Sequence, residues 1–142
     1  SFLPSEIIAA YLWAQLENLE KIQKRRVEIW EKYYSGLKEW AKQTEIKLPK
    51  IPDYATNNGH MFYMVCKNKQ QRENLISFLK NNGIMAVFHY LSLHKSPYYQ
   101  KYYKQKFELL QSIRFMNCLV RLPLYYNLDE CYITTVIRNT FL

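Results

Sequence analysis

His60-Met61-Phe62-Tyr63-Met64-Val65-Cys66 is an apolar and aromatic run preceded by the turn-forming Asn57-Asn58-Gly59. Such a run bounded by turn residues predicts a strand, and the segments around it read as partners for that strand. Upstream, Ile46-Lys47-Leu48 precedes Pro49 and Pro52. Proline cannot donate to a β-ladder, so this is at best a short edge strand. Downstream, residues 70–80 predict a helix with Leu75, Ile76, Phe78 and Leu79 on its apolar face. Asn82-Gly83 stops it, glycine supplying the left-handed cap. Strands follow at 84–90 and 120–124. Between them lie a tyrosine-rich helical stretch over 97–106 and a helix over 107–118. In the last helix Asp129 is the expected cap, and Ile133, Val136, Ile137 and Phe141 lie on the inner face.

Ahead of the sheet, Pro4 and Ser5 are helix-start signals. Apolar residues recur at Ile8, Leu12, Leu16, Leu19 and Ile22, and again at Trp30, Tyr33, Leu37 and Trp40. Steps of three and four put each set on one helix face. A helix of about thirty residues would span about 45 Å. A compact domain of this length has a radius of gyration of only about 14 Å. The helix is therefore expected to bridge to something else, or to bend near the charged stretch 21–26, with Gly36 loosening its end. The predicted class is α+β: a small, mostly antiparallel sheet, helices packed on one side, and a long N-terminal connecting helix.

The 142 residues fit one domain or a piece of a larger one, and 49% hydrophobic with 23% charged residues marks a globular chain. No glycine-rich phosphate loop is present among only 3 Gly. A net charge of +8 reads either as a solvated basic surface or as an attraction for an anionic ligand. Cys66, Cys118 and Cys131 form no CxxC pair, so no zinc site is expected. They read as reduced, small hydrophobes of a cytoplasmic protein. No signal peptide and no membrane-length apolar run is visible. The sequence opens on Ser1 rather than Met, which fits a piece of a longer protein.

Phe88-His89-Tyr90-Leu91-Ser92-Leu93-His94 sets two histidines at a strand end. His60 starts another strand. If the strands are neighbours, the three histidines gather at one edge, where a three-histidine metal site can be imagined; otherwise each is an ordinary polar residue. No Asp or Glu stands near His89 or His94 to complete a catalytic triad. Lys95, Tyr98, Tyr99, Lys101, Tyr102, Tyr103, Lys104 and Lys106 interleave cations with aromatics. This pattern has three readings: a single-stranded nucleic-acid surface, an amphipathic helix with a wet lysine face, or a lid over an anionic small molecule. Arg121, on a predicted strand, is either a structural ion-pair partner or a carboxylate or phosphate clamp.

Four strings in order carry a more specific signal. Residues 3–17 (LPSEIIAAYLWAQLE), then His60-Met61-Phe62-Tyr63, then residues 84–90 with Leu93-His94, then residues 121–128 (RLPLYYNL) together resemble the C-terminal region of the DegT/StrS family of sugar aminotransferases. The resemblance covers essentially the whole sequence. It implies a pyridoxal-phosphate (PLP) enzyme that aminates a nucleotide-linked sugar, here a dTDP-linked 4-keto-6-deoxy sugar for cell-surface polysaccharide, with an amino-acid donor. It also implies a cytoplasmic homodimer with no nucleic-acid or membrane partner. The Schiff-base lysine and the aspartate that pairs with the pyridine nitrogen lie in an N-terminal domain of such enzymes, and neither motif occurs here. The expectation is thus a single C-terminal small domain over 1–142, inactive alone, its large PLP-binding domain absent. His94, His89 and Tyr90 match the family segment that reaches the active site and the nucleotide-sugar, and His60 matches a position near the same cleft. Lys95 and Tyr98 join them as expected substrate-binding residues, a basic loop being suited to pyrophosphate. Ser5 and Glu6 match the segment where domains and the neighbouring subunit meet at the cofactor. No catalytic residue is expected in this chain. A stand-alone basic module for nucleic acid or an acidic partner is the rival reading.

Overall fold

A computed structural model describes residues 3–103 and 108–140. In chain order the elements are α1 (Glu6–Leu16), α2 (Leu19–Gln43), β1 (Phe62–Val65), α3 (Lys69–Asn81), β2 (Val87–Phe88), a 3-10 turn (Leu93–Lys95), α4 (Pro97–Tyr102), α5 (Leu110–Cys118), β3 (Leu119–Leu122) and α6 (Glu130–Arg138). The sheet order is β1-β3-β2 and both pairings are antiparallel. Ile46-Lys47-Leu48 contributes a single antiparallel bridge from Lys47 to Val65, the curtailed edge that Pro49 and Pro52 lead one to expect.

The alternation of β-strands decides where the core sits. Phe62 and Met64 on β1 stand opposite Leu122 and Val120 on β3, so all four share a face. That face is covered by Ile29, Trp30, Tyr33 and Leu37 of α2, Leu75 and Leu79 of α3, and Ile133 and Ile137 of α6. Each fully buried side chain of this size contributes about 1.5–3 kcal/mol. Tyr33 sits in the middle with its hydroxyl donating to the Pro123 carbonyl at 3.0 Å, and burial raises its pKa. The α+β class with helices on one side of an antiparallel sheet is thus observed. Phe141, expected on the inner face of α6, lies outside the described residues.

Boundaries differ from the pattern reading in instructive ways. The long helix breaks at Glu17-Asn18, ahead of the charged stretch. There the Asn18 N–H bonds Gln15 O at 3.1 Å and the Asn18 side-chain amide bonds Ala14 O at 3.2 Å. These tightened bonds replace the regular helical ladder. Residues 21–26 stay helical because Arg25 and Arg26 point back onto the domain. Arg26 bonds His60 O at 2.6 Å and Leu124 O at 3.3 Å. Gly36 does not loosen the end of α2. It lies inside the helix at the α6 crossing, where an added Cβ would stand 3.2 Å from Thr134 Cγ2. The strand expected over 84–90 shrinks to Val87–Phe88, since Ile84 N–H turns back to Leu79 O at 2.8 Å. The tyrosine helix ends at Tyr102, because Tyr103 is extended. Residues 104–107 lie outside the described ones, and the next helix starts at Leu110. No described helix is long and apolar enough to cross a membrane.

The strongest polar tie joins α2 to α6. Arg25 donates to both Glu130 carboxylate oxygens, at 2.7 and 3.2 Å, and to the carbonyls of Tyr126 and Leu128. Lys32 adds a bond to Glu130 at 2.7 Å. Hydrogen bonds from Arg25, foremost, and from Lys32 outweigh the desolvation of Glu130 and lower its pKa from 4.5 to about 2. A folded-state pKa below the unfolded one gives stability that is complete above pH 4.5 and lost as pH falls toward 2. Glu130→Gln is therefore expected to lower stability at pH 7 by about 2 kcal/mol, between exposed and fully buried pairs. It should also flatten the acid limb of the unfolding curve, measured by denaturant titration from neutral to acid pH. Gly59, at φ +58°, packs against α2 so that a Cβ would meet the Arg26 carbonyl carbon at 2.8 Å. Gly59→Ala is expected to cost about 1–3 kcal/mol through backbone strain, read as a lower thermal midpoint.

Candidate functional site

β2 runs into residues 89–95, which leave the sheet at its β2 end and fold over α5. Together they enclose a hollow of about 400 Å³ lined by residues 89–93 and by Ser112, Phe115 and Met116. The loop is fastened from below. Ser92 is buried; its hydroxyl donates to Ser112 O at 3.1 Å and accepts from the Ser112 hydroxyl at 2.9 Å. The Ser92 N–H meets Met116 Sδ at 3.4 Å. Ser112, Phe115 and Met116 recur at steps of three and one, one helix face. That face is legible in the sequence, but which loop covers it is not, so these lining residues were missed.

His89 is half-buried, its ring 4.5 Å from that of Tyr90. Its Nδ1 is buried with no hydrogen-bond partner among the described residues. His94 is 7% exposed, and its Nε2 is likewise buried and unpartnered among the described residues. A buried polar nitrogen without a partner is costly and marks a place for a ligand or a missing contact. The 3-10 turn carrying His94 is braced by Gln100, whose side-chain amide donates to His94 O at 2.7 Å. Tyr90, by contrast, is exposed.

α4 starts cleanly: the Ser96 hydroxyl accepts from Tyr99 N at 3.2 Å, and Pro97 takes the first turn. Its tyrosines pair four apart, Tyr98 on Tyr102 at 4.8 Å and Tyr99 on Tyr103 at 4.9 Å. Lys101 Nζ lies 5.1 Å from the Tyr102 ring centre. Lys95 and Tyr98 are both exposed beside the loop. The result is an aromatic and cationic shoulder next to the hollow. Lys104 and Lys106 lie outside the described residues.

The three histidines are not gathered. β1 and β2 are separated by β3 and both run antiparallel to it. His60 precedes Phe62, which is level with Leu122, whereas His89 follows Phe88, which is level with Val120. They therefore leave from opposite ends of β3. The His60 side chain is exposed and its carbonyl is held by Arg26. Among the described residues no group of three or more His, Cys, Asp or Glu could hold a metal ion. Ser5 caps α1, its hydroxyl 3.4 Å from Ile8 N, and Glu6 is the first helical residue. Both sit on a helix with no buried residue. Arg121 is half-buried on β3 opposite Tyr63 and Val87, with Nε unpartnered among the described residues.

Residues 4–140 match the DegT/DnrJ/EryC1/StrS aminotransferase family, and the chain belongs to it. Among solved structures it is similar to DesV of S. venezuelae, determined in complex with a ketimine intermediate. That likeness has a TM-score of 0.80 and 26% identity over 92% of this chain and 34% of that one. A DegT/DnrJ/EryC1/StrS aminotransferase from Brucella abortus gives a TM-score of 0.76 and 26% identity over 92% and 34%. Spr1654 from Streptococcus pneumoniae, in its PLP form, shares the fold at a TM-score of 0.70 and 20% identity over 89% and 33%. The chain spans about a third of the length of the solved structures it matches.

Ser92→Ala removes the only buried serine hydroxyl tying the loop to α5 among the described residues. A loss of about 1 kcal/mol is expected. It should be accompanied by faster amide hydrogen exchange confined to residues 90–96, which exchange mass spectrometry resolves.

Proposed function

We propose that this chain is the C-terminal small domain of a PLP-dependent aminotransferase that transfers an amino group from an amino-acid donor to a nucleotide-linked keto sugar. The observation that carries this reading is the family match over 4–140, in a chain about a third as long as the solved structures it resembles. A second feature supports it. α1 (EIIAAYLWAQL) is apolar around its whole circumference, yet none of its residues is buried; Ile7 is 84% and Trp13 68% exposed. A helix of that kind is normally buried, which suits a connector lying against a larger domain of the same enzyme.

The hollow over α5 has no lysine and no carboxylate in its lining. It offers neither an amine to anchor the cofactor nor an acid to pair with its ring nitrogen, so these residues do not fit the attachment of PLP. We assign that attachment to the remaining length of the parent enzyme, where the cofactor supplies the electron sink for moving the amino group. This chain's part is to bind and orient the sugar nucleotide. His89, Tyr90 and His94 meet the sugar, with His94 the most important. Lys95 and Lys101 hold the pyrophosphate as exposed point charges, and Tyr98 offers a ring face. His60, at the other end of the sheet, is left out of this surface. Ser5 and Glu6 lie where the domains and the second subunit of a homodimer meet at the cofactor. The specific substrate we favour is a dTDP-linked 4-keto-6-deoxy sugar, as for a dTDP-4-amino-4,6-dideoxygalactose transaminase of cytoplasmic polysaccharide-precursor synthesis.

In the full-length enzyme, Lys95→Ala with Lys101→Ala is expected to raise KM for the sugar nucleotide about tenfold with kcat unchanged, the signature of lost uniform binding. Steady-state kinetics with dTDP-keto sugar and glutamate measure this, and an unchanged KM removes the pyrophosphate assignment. The 142-residue chain alone should give no turnover in the same assay; turnover by it would overturn the domain reading.

A further inference from the structure

A second hollow, of about 370 Å³, lies where the C-terminal half of α2 meets residues 46–50. Its apolar lining comes from Ala41, Ile46, Leu48 and Pro49. Tyr34 also lines it, its ring parallel to that of Trp30, 5.5 Å between centres and 6° between planes. That stacking holds a flat aromatic face in place while Tyr34 remains 36% exposed. Three cations complete the lining: Lys38, Lys42 and Lys50.

The charges are poorly compensated. Lys38 and Lys42 stand four apart on one helix face, a spacing at which like charges repel. The chain reversal after α2 then brings Lys50 to the same place. Lys42 is answered by Glu39 at 2.9 Å. The other nearby acid, Glu45, is paired instead with Lys67 at 2.9 Å. Among the described residues neither Lys38 nor Lys50 makes an ion pair, and Glu39, which Lys38 acts on through space, is bonded to Lys42. Cations crowded at an apolar, aromatic-walled concavity concentrate positive potential there. A few polar groups on a mostly apolar hollow is also the usual composition of a small-molecule site.

We propose that this hollow binds a small organic anion with a flat apolar ring. The ring lies between Tyr34 and Leu48, and the anionic group sits between Lys38 and Lys50. The site is distinct from the one over α5. Lys47 pairs with β1 at one edge of the sheet, while β2, which feeds the loop 89–95, forms the other edge. It therefore stands whether or not the proposed transaminase reading does.

Calorimetric titration of the full-length protein with phenyl phosphate tests it. Saturable binding is expected, weakened about tenfold by Lys38→Ala with Lys50→Ala, a loss of about 1.4 kcal/mol. Phenol and inorganic phosphate, each carrying half of the recognition, should bind far more weakly. No saturable heat, an unchanged affinity in the Lys38/Lys50 variant, or equal binding of phenol or phosphate alone would each overturn the proposal. So would loss of binding in the Lys95/Lys101 variant instead, which would place the probe on the α4 shoulder.

Discussion

Arg25 closes the domain. The chain's first long helix and its last helix are more than a hundred residues apart in sequence, and one guanidinium holds them together through Glu130 and two carbonyls of the connecting turn. A planar fork of fixed donors suits this task, since it can bond a carboxylate and backbone oxygens at once. Closure of α2 on α6 sets the height of the layer above the sheet, and Tyr33, Leu37, Ile133 and Ile137 fill it. Apolar burial supplies most of the stabilising free energy, but it is non-directional. The ion pair fixes which helix faces meet. Arg26 extends the same fastening to the other side, holding His60 O and Leu124 O, so the start of β1 and the end of β3 are tied to the same turn of α2.

The loop 89–95 rests on that frame. Among the described residues two serine hydroxyls, a methionine sulfur and a glutamine amide hold it, and each histidine keeps one buried ring nitrogen without a partner. This division between a well-tied scaffold and a loop with unspent polar capacity is the usual arrangement for a binding segment.

The class of fold was legible in the sequence because the turn-bounded apolar run 60–66 and the steps of three and four in α2, α3 and α6 are strong, local signals. Prolines 49 and 52 correctly demoted the first strand to a bridge. Less was legible wherever a distant partner decided the outcome. The stretch 21–26 reads as a charged point of bending, yet Arg25 and Arg26 are the fastenings, and no local pattern announces Glu130 as the target of Arg25 or the His60 and Leu124 carbonyls as those of Arg26. Gly36 reads as a helix weakener, but the α6 crossing makes use of its small size. The histidines show the same limit at the candidate site. Their sequence positions at strand ends suggest a cluster, whereas the strand order, a non-local property, sends His60 to the opposite end. The family strings identified the family over almost the whole chain because they carry information about the whole fold that spacing alone lacks.

The interruption at Glu17-Asn18 gives α1 a particular character. A helix of eleven residues is too short to persist in water on propensity alone, and this one has no covered face from which to draw support. In the parent enzyme proposed above, docking and helix formation would be one event, so that the segment would act as a folding-coupled latch. On the 142-residue chain by itself, the uncovered apolar cylinder is the kind of surface that favours self-association.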